Sequence, residues 1–268
     1  MRGDDAVAAR PNAGEVRIGT SGWHYRHWLG PFYPDGLSTD AMLPYYAERY
    51  GTVEINYTFY HLPDADAVAA WHDAVGDRFT FAVKASRYLT HMKKLREPEQ
   101  PIAMLFERLA PLRKKLGPIL FQLPPRWHRN AERLAGLLAV LPAGRRYAFE
   151  FRDATWFAPE VYDLLSGHGA ALCLYDRFGE RTPLERTADF VYLRMHGLRG
   201  GMERPYDDRE LAAWAGAIGD WLSDGVDVYV YLNNDPHGNA PHDAARLSRL
   251  LESARAGVGA TPDGTGRM

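Results

Sequence analysis

The sequence predicts an α/β protein of the (β/α)8 TIM-barrel class with a single domain. Eight short segments are predicted to be β-strands, six of them with alternating apolar and polar residues, and helical patterns separate most of the eight. On most strands the polar face carries charged residues towards the carboxyl end. This is typical of a barrel whose active site lies at the carboxyl ends of its strands. The predicted strands cover residues 16–20, 52–57, 79–86, 118–123, 146–152, 170–176, 189–196 and 227–233.

Helical patterns fill most of the intervals between these strands. The clearest covers residues 98–116, where apolar side chains recur at helical spacing and Gly117 ends the pattern. Residues 177–188, between strands six and seven, are too short and too irregular for a full helix, so we expect that crossover to be reduced. The other predicted helices cover residues 39–50, 64–76, 130–141, 158–167, 207–224 and 241–253.

A doubly wound open sheet is the alternative fold. It is disfavoured because no glycine-rich phosphate loop follows any predicted strand. The strands of such sheets also tend to be apolar on both faces, whereas these strands carry polar residues on one face. The barrel therefore remains the predicted class.

The composition indicates one enzyme-sized domain. The chain has 268 residues, of which 46% are hydrophobic and 25% charged, and its formal net charge of −2 does not favour a general nucleic-acid or membrane binder. Cys173 is the only cysteine and lies in an apolar run, so we interpret it as a small buried hydrophobe. No signal peptide and no stretch of 18 apolar residues is present, which predicts a cytoplasmic protein.

The two ends of the chain differ from its middle. Residues 1–14 are small, polar and unpatterned, and residues 254–268 are rich in glycine with few apolar residues, so we expect two flexible tails. No linker divides the stretch between them, and we expect residues 15–253 to form the barrel domain. The sequence makes no prediction of oligomeric state.

The polar strand faces define the candidate site. Carboxylates beside cations suit general acid–base chemistry, because burial raises the pKa of one carboxyl while a cation keeps another ionised. Arginine and lysine suit the binding of phosphate or carboxylate groups. We predict catalytic roles for Glu54, Glu150, His196, Lys84 and Asp176, the last with its face undetermined, and substrate-binding roles for Asn56, Gln122, Arg152, Arg194, Asn233, Asn234, His91, Trp23, Tyr25 and Tyr60.

A purely structural interpretation of the same residues remains open. Glu54 and Glu150 could neutralise the neighbouring cations in a buried network, since buried charges are normally paired. Replacing such a network by apolar residues is often neutral or stabilising, so stability alone explains it poorly. A network of this kind can also preorganise a site, and the two interpretations are compatible.

Three functions are compatible with these residues. The first is an enzyme acting by acid–base chemistry on a small anionic molecule, sugar-like or nucleotide-like, without a cofactor. The second is a nucleic-acid-binding protein, indicated by the basic stretches 87–96 and 126–129 and by aromatic residues on which bases could stack, namely Trp23, Tyr25, Tyr60 or Trp127. The third is a metal-dependent phosphoesterase or isomerase, indicated by histidines in loops after the strands. A divalent metal is disfavoured because no His-Glu-x-x-His signature occurs and cations would crowd it.

Seven motifs in order resemble the YecE-like family, domain of unknown function family 72, across residues 16–252. The resemblance implies a TIM barrel, similar in architecture to sugar isomerases and endonuclease IV, and no established reaction. Leu232 departs from the pattern, which has an aromatic residue there, and we expect it to face outward. The motifs are Gly19-Thr20-Ser21-Gly22-Trp23 with Phe32-Tyr33-Pro34, Val53-Glu54-Ile55-Asn56 with Phe59-Tyr60, Val83-Lys84-Ala85 with Thr90-His91, Leu120-Phe121-Gln122-Leu123-Pro124-Pro125, Glu150-Phe151-Arg152 with Trp156, Tyr192-Leu193-Arg194-Met195-His196-Gly197, and Tyr229-Val230-Tyr231 with Asn233-Asn234-Asp235.

Overall fold

A computed structural model of the chain describes residues 13–197 and 201–258. Eight parallel strands form a nearly closed barrel with helices around it, which confirms the predicted (β/α)8 class. A ninth, two-residue strand pairs antiparallel with the sixth barrel strand. The strands are β1 (Val16–Thr20), β2 (Thr52–Ile55), β3 (Thr80–Lys84), β4 (Leu116–Gln122), β5 (Tyr147–Glu150), β6 (Ala171–Arg177), β7 (Glu180–Arg181), β8 (Phe190–Met195) and β9 (Asp227–Leu232), in the order β1-β9-β8-β6-β5-β4-β3-β2.

Helices cover the outer face of the barrel. The predicted helix over residues 98–116 is divided: it ends at Leu109, and a 3-10 turn, Ala110–Lys115, follows because Pro111 has no backbone N–H to donate. Among the helices described, none combines the length and apolar character of a membrane span. They are α1 (Thr39–Ala47), α2 (Tyr57–Tyr60), α3 (Ala65–Asp73), α4 (Glu99–Leu109), α5 (Ala131–Val140), α6 (Pro159–Gly167), α7 (Asp208–Ser223) and α8 (Asn239–Val258).

The crossover between β6 and β8 is reduced, as predicted. The chain turns back in the β6–β7 hairpin, where Asp176 pairs with Arg181, and reaches β8 without a helix. The next helix, α7, begins with a capping box in which Asp207 and Glu210 each accept a backbone N–H of the other.

The seam between β1 and β2 closes the barrel through a side chain. The hydroxyl of Tyr46, on α1, accepts the backbone N–H of Thr20 at 2.9 Å and donates to the carbonyl of Thr52 at 3.0 Å. Gly19 approaches the same carbonyl so closely that a Cβ at this position would lie 2.1 Å from its oxygen. Just beyond the end of β1, an isolated parallel β-bridge pairs Ser21 with Glu54. Glycine is therefore required at this seam.

Two apolar layers flank the strands. The larger lies between the strands and the helices, and Leu232 belongs to it, so this residue faces outward as expected. The smaller fills the barrel interior and contains Cys173, which is buried. Its members are Ala82, Leu120, Ala148, Ala171, Cys173, Phe190, Tyr192, Tyr229 and Tyr231.

The predicted tails fall largely outside the described residues. Of residues 1–14 the structure describes only 13 and 14, and the N–H of Gly14 donates to the carbonyl of Leu222 at 2.8 Å. Of residues 254–268 it describes 254–258, which continue α8 beyond the predicted helix end at residue 253.

Candidate functional site

A buried ion-pair network lies inside the barrel at the carboxyl ends of the strands. Arg194, near the end of β8, donates from Nη2 to Glu54 Oε1 at 2.8 Å and from Nη1 to Glu150 Oε2 at 2.7 Å. Arg152 contacts Glu150 Oε1 through Nη2. Side-chain exposure is 0% for both carboxylates, 2% for Arg194 and 8% for Arg152. These four side chains lie together because β2, β5 and β8 all direct alternate residues inward.

Glu54 is saturated with donors. Besides Arg194, the hydroxyl of Ser21 donates to Oε1 at 2.8 Å and the hydroxyl of Tyr192 donates to Oε2 at 2.7 Å. Both oxygens of this carboxylate are therefore occupied by groups of the protein itself. Its visible role is to hold the guanidinium of Arg194 in place.

The cations around Glu150 determine its charge. Burial raises the pKa of this carboxyl, but Arg152 and Arg194 outweigh burial and hold the pKa well below its usual range. Glu150 is thus an ionised carboxylate throughout the physiological range. An acid catalyst needs a proton near neutral pH, which this environment opposes.

Arg152 is only partly neutralised. Its Nη2 lies 3.1 Å from Nε2 of His196, and its guanidinium carbon lies 4.5 Å from the centre of the Tyr175 ring. Its Nε and Nη1 are buried and have no hydrogen-bond partner within the described part of the chain. Buried donors without acceptors are costly, and a bound anion is one way in which such a cost is met.

His196 is held neutral. Burial and the charge of Arg194 lower its pKa well below the usual value. Its Nε2 faces guanidinium groups of Arg152 and Arg194, at 3.1 and 3.5 Å, and because guanidinium groups only donate, Nε2 must carry the lone pair. The proton is then on Nδ1, which requires the side-chain amide of Asn233, 2.9 Å away, to turn its oxygen towards Nδ1 as the acceptor.

Lys84, at the end of β3, has a different environment. Its ammonium lies 4.2 Å from the centre of the Phe59 ring, and no carboxylate of the described residues lies within 4.0 Å of it. Burial, followed by the charge of Arg194, lowers the pKa of Lys84 to about 8. This side chain can therefore both carry a positive charge and exchange a proton near neutral pH.

A pocket of about 510 Å³ opens above the network. Most of the residues predicted for the site line it: most of these lie on or just after strands that direct them inward, while Tyr25 lies in the loop after β1 and Tyr60 on α2. The lining residues that the sequence predicted are Tyr25, Asn56, Tyr60, Lys84, Gln122, Arg152, Arg194, His196 and Asn233.

Some predicted site residues lie elsewhere. Trp23 lines a neighbouring groove. His91 packs edge to face on Phe59 at 5.0 Å, outside the pocket, and burial together with Lys84 lowers its pKa to about 4. Asn234 is buried and donates to Oδ2 of Asp243 at 2.9 Å, so it connects a loop to α8.

Asp176 points away from the pocket, to the outer side of β6. It accepts hydrogen bonds from the hydroxyl of Tyr206, from Nε1 of Trp214 at 2.8 Å and from the backbone N–H of His196 at 3.1 Å. Burial raises its pKa, although these hydrogen bonds oppose the shift. These contacts attach α7 and its preceding loop to the barrel. Asp176 contacts the backbone of His196, but the structure does not bring its carboxylate to the side chains of the other predicted catalytic residues.

Within the described part of the chain, five further residues belong to the site and were not predicted for it. Pro125, Arg177 and Met202 line the pocket, and Ser21 and Tyr192 hold Glu54. Tyr192 lies two residues before Arg194 on the same strand face, so the alternation of this strand could have assigned Tyr192 to the site. Met202 comes from a loop, for which strand alternation gives no signal.

The described residues contain no group of three or more His, Cys, Asp or Glu side chains arranged to hold a metal ion. Glu54 and Glu150, the carboxylates nearest the pocket, are engaged by Arg194 instead. The histidines of the loops are dispersed, as His91 on Phe59 and His196 beside Arg152 illustrate.

Comparison with protein families gives a specific result. The model described as "Protein of unknown function DUF72" matches residues 17–266. The chain belongs to the DUF72 family. This confirms the resemblance that its strand-end motifs indicate, and the DUF72 description states no reaction.

Individual DUF72 relatives agree with this assignment. A DUF72 family protein of Thermotoga maritima, solved by crystallography, is 27% identical with a TM-score of 0.79, covering 89% of this chain and 99% of that one. UPF0759 protein YunF of Bacillus subtilis is 25% identical over 91% of this chain and 97% of YunF. UPF0759 protein YecE of Escherichia coli is 28% identical over 53% of this chain and 50% of YecE. The chemistry of this DUF72 chain must therefore follow from its own pocket.

Proposed function

We propose that this DUF72 protein is an enzyme that binds a small phosphate- or carboxylate-bearing molecule at the carboxyl end of its barrel. One observation carries the proposal: Nε and Nη1 of Arg152 are buried at the pocket and have no acceptor among the described residues. A planar guanidinium with two free donors matches the oxygens of a phosphate or carboxylate.

The charge around the pocket supports an anionic ligand. Among the described residues four cations line it, namely Lys84, Arg152, Arg177 and Arg194, and the two carboxylates beneath it are engaged by Arg194 and Arg152. An excess of positive charge remains to be neutralised. In a partly enclosed cavity such charge is screened weakly, so it attracts anions strongly.

Amide side chains at the pocket suit the remaining polar groups of the ligand. Asn56 donates to the carbonyl of Ser21 at 3.1 Å, which leaves its buried Oδ1 without a partner in the described structure. Gln122 and Asn233 line the same cavity. These amides would orient hydroxyl or amino groups of the ligand relative to the anion site.

Lys84 is our candidate for proton transfer. Its pKa of about 8 matches the working range of a general acid or base, because both protonation states are populated near neutral pH. Glu54 and Glu150 serve instead to hold Arg194 and Arg152, since each carboxylate is ion-paired with arginine. His196 is a weaker candidate because its free nitrogen faces two guanidinium groups.

Calorimetric titration with inorganic phosphate tests the anion site. We expect saturable binding to the native protein, and a loss of affinity of at least about tenfold, or 1.4 kcal/mol, in Arg152→Gln and in Lys84→Gln. The matched control is Arg249→Gln, an exposed arginine on α8, which should bind like the native protein. Equal phosphate affinity in all these variants would refute the proposed site.

A second experiment separates binding from catalysis. A panel of phosphate esters and carboxylates is screened for turnover by proton NMR, and any compound converted is tested with Lys84→Arg. This variant retains a positive charge but cannot lose its proton near neutral pH. We expect phosphate binding to remain within about threefold of native and turnover to fall by at least about a hundredfold, as for loss of a general base.

A further inference from the structure

A second cavity, of about 740 Å³, adjoins the anion pocket. We call it the apolar groove; it lies between α1, α3 and the loops after β1 and β2. Tyr25, Asn56 and Tyr60 line both the groove and the anion pocket, so the two cavities meet at these three side chains.

The sequence of α3 creates this space. Ala67, Ala70, Trp71 and Ala74 recur at helical spacing and all line the groove, so small side chains leave room along most of this helix face. Trp71 packs edge to face against Trp23, with ring centres 5.6 Å apart, and the two indoles form one wall.

Aromatic surface is exposed at the groove. Tyr57 and Tyr60 both line it, with 54% and 63% of their surface exposed to solvent. Contiguous apolar surface of this kind on a folded domain commonly marks a binding site. The rings therefore present apolar faces to whatever occupies the groove.

The charges of the two cavities are opposite in character. No lysine or arginine is present among the described residues that line the groove, and Asp40 and Asp64 lie on it. An anionic group is consequently disfavoured in the groove and favoured in the adjoining pocket, where Lys84 and Arg152 lie. The combined site separates an anion-binding part from an apolar part.

We propose that the ligand of this protein is an anion bearing an aromatic or apolar substituent, with the anionic group on Arg152 and Lys84 and the substituent in the apolar groove. The inference rests on the proposed function, because it takes the anion site as its starting point. Tyr25, Asn56 and Tyr60 would contact the ligand where its two parts join.

Two phosphonates of equal headgroup test the inference. Methylphosphonate and phenylphosphonate are titrated calorimetrically into the native protein. We expect phenylphosphonate to bind at least about tenfold more tightly, a difference of 1.4 kcal/mol, because its ring leaves water for the groove.

Filling the groove should abolish this preference. Ala70 and Ala67 are exposed, so Ala70→Phe and Ala67→Phe add bulk to the groove without disturbing the core. In these variants we expect the two phosphonates to bind within about threefold of each other. Ala65→Phe, an exposed alanine on the same helix that does not line the groove, should retain the native preference.

The outcomes distinguish the two proposals. If neither inorganic phosphate nor either phosphonate binds, the anion site itself is refuted. If inorganic phosphate and methylphosphonate bind and the phenyl ring gives no gain, only the apolar groove is refuted as a ligand site. Sedimentation of the native protein and of Ala70→Phe adds one more outcome. A dimer that is lost in the variant, with the phosphonate preference unchanged, would show that a second copy occupies the groove. That result would overturn the inference.

Discussion

The ammonium of Lys84 lies 4.2 Å from the centre of the Phe59 ring, and no carboxylate of residues 13–197 and 201–258 lies within ion-pair distance of it. The neighbouring carboxylates Glu54 and Glu150 are held by Arg194 instead. Burial, followed by the charge of Arg194, therefore lowers the pKa of Lys84, and no direct ion pair offsets this shift.

The free energy of unfolding should rise with pH between about pH 8 and pH 10. Folded Lys84 loses its proton near pH 8, whereas an unfolded lysine keeps its proton to about 10.5, so the unfolded state binds more protons in this interval. Lys84→Met should flatten the rise and stabilise the protein at pH 7 by about 1–3 kcal/mol. Urea unfolding at several pH values measures both, with the exposed Lys114→Met as control. An unchanged slope in Lys84→Met would contradict the lowered pKa.

Removing Arg194 should be among the most damaging single changes in the barrel. Arg194→Met leaves Glu54 and Glu150 buried without their shared cation, and we expect a loss of about 3–5 kcal/mol in the free energy of unfolding. Adding Glu54→Gln should restore part of this loss, because one uncompensated charge is then removed. Denaturant unfolding of the two single variants and the double variant gives the coupling, and strictly additive losses would contradict the network.

Asp176 should matter for stability and not for ligand binding. Asp176→Ala removes the acceptor of Tyr206 and Trp214 on the outer side of β6, and we expect a loss of about 2–3 kcal/mol in the free energy of unfolding. Phosphate affinity, measured calorimetrically below the melting temperature, should remain within about threefold of native. A large loss of affinity in a well-folded variant would restore a direct role in the site.

Gly19 should tolerate no side chain. A Cβ would meet the carbonyl oxygen of Thr52 at 2.1 Å, so Gly19→Ala must separate β1 from β2 and disturb the Tyr46 hydroxyl between them. We expect a loss of about 3 kcal/mol or more, in the range of severe overpacking. Gly51→Ala, where no atom lies within 4 Å of the added Cβ, should change stability by about 0.5 kcal/mol at most. Thermal unfolding compares the two, and similar stability of both variants would contradict the close seam.

Strand alternation carried most of what the sequence could predict. It located the barrel strands and directed Glu54, Lys84, Glu150 and Arg194 to one interior, because the period of two fixes the face of every residue in an alternating strand. In β6 the residues before Asp176 are apolar on both faces, so no alternation existed there to assign its face. Its neighbours Cys173 and Tyr175 face inward, and Asp176 accordingly faces out.

Which cation pairs with which carboxylate could not be predicted from the sequence. Arg194 pairs with both carboxylates because side chains of β2, β5 and β8, which are not neighbours in the sheet, meet across the barrel interior. The same residues with a different pairing would leave a carboxylate free as an acid or base. Only the side-chain geometry indicates that Lys84 and Arg152 are the groups left for a ligand.

The most direct test of the anion site is a crystal structure of the protein soaked with selenate, a tetrahedral dianion whose selenium gives an anomalous signal. We expect an anomalous peak in the pocket within hydrogen-bond reach of Nε or Nη1 of Arg152 and near the ammonium of Lys84, and loss of that peak in Arg152→Gln. A native pocket without selenate, or a peak that persists unchanged in Arg152→Gln, would contradict the proposed anion site.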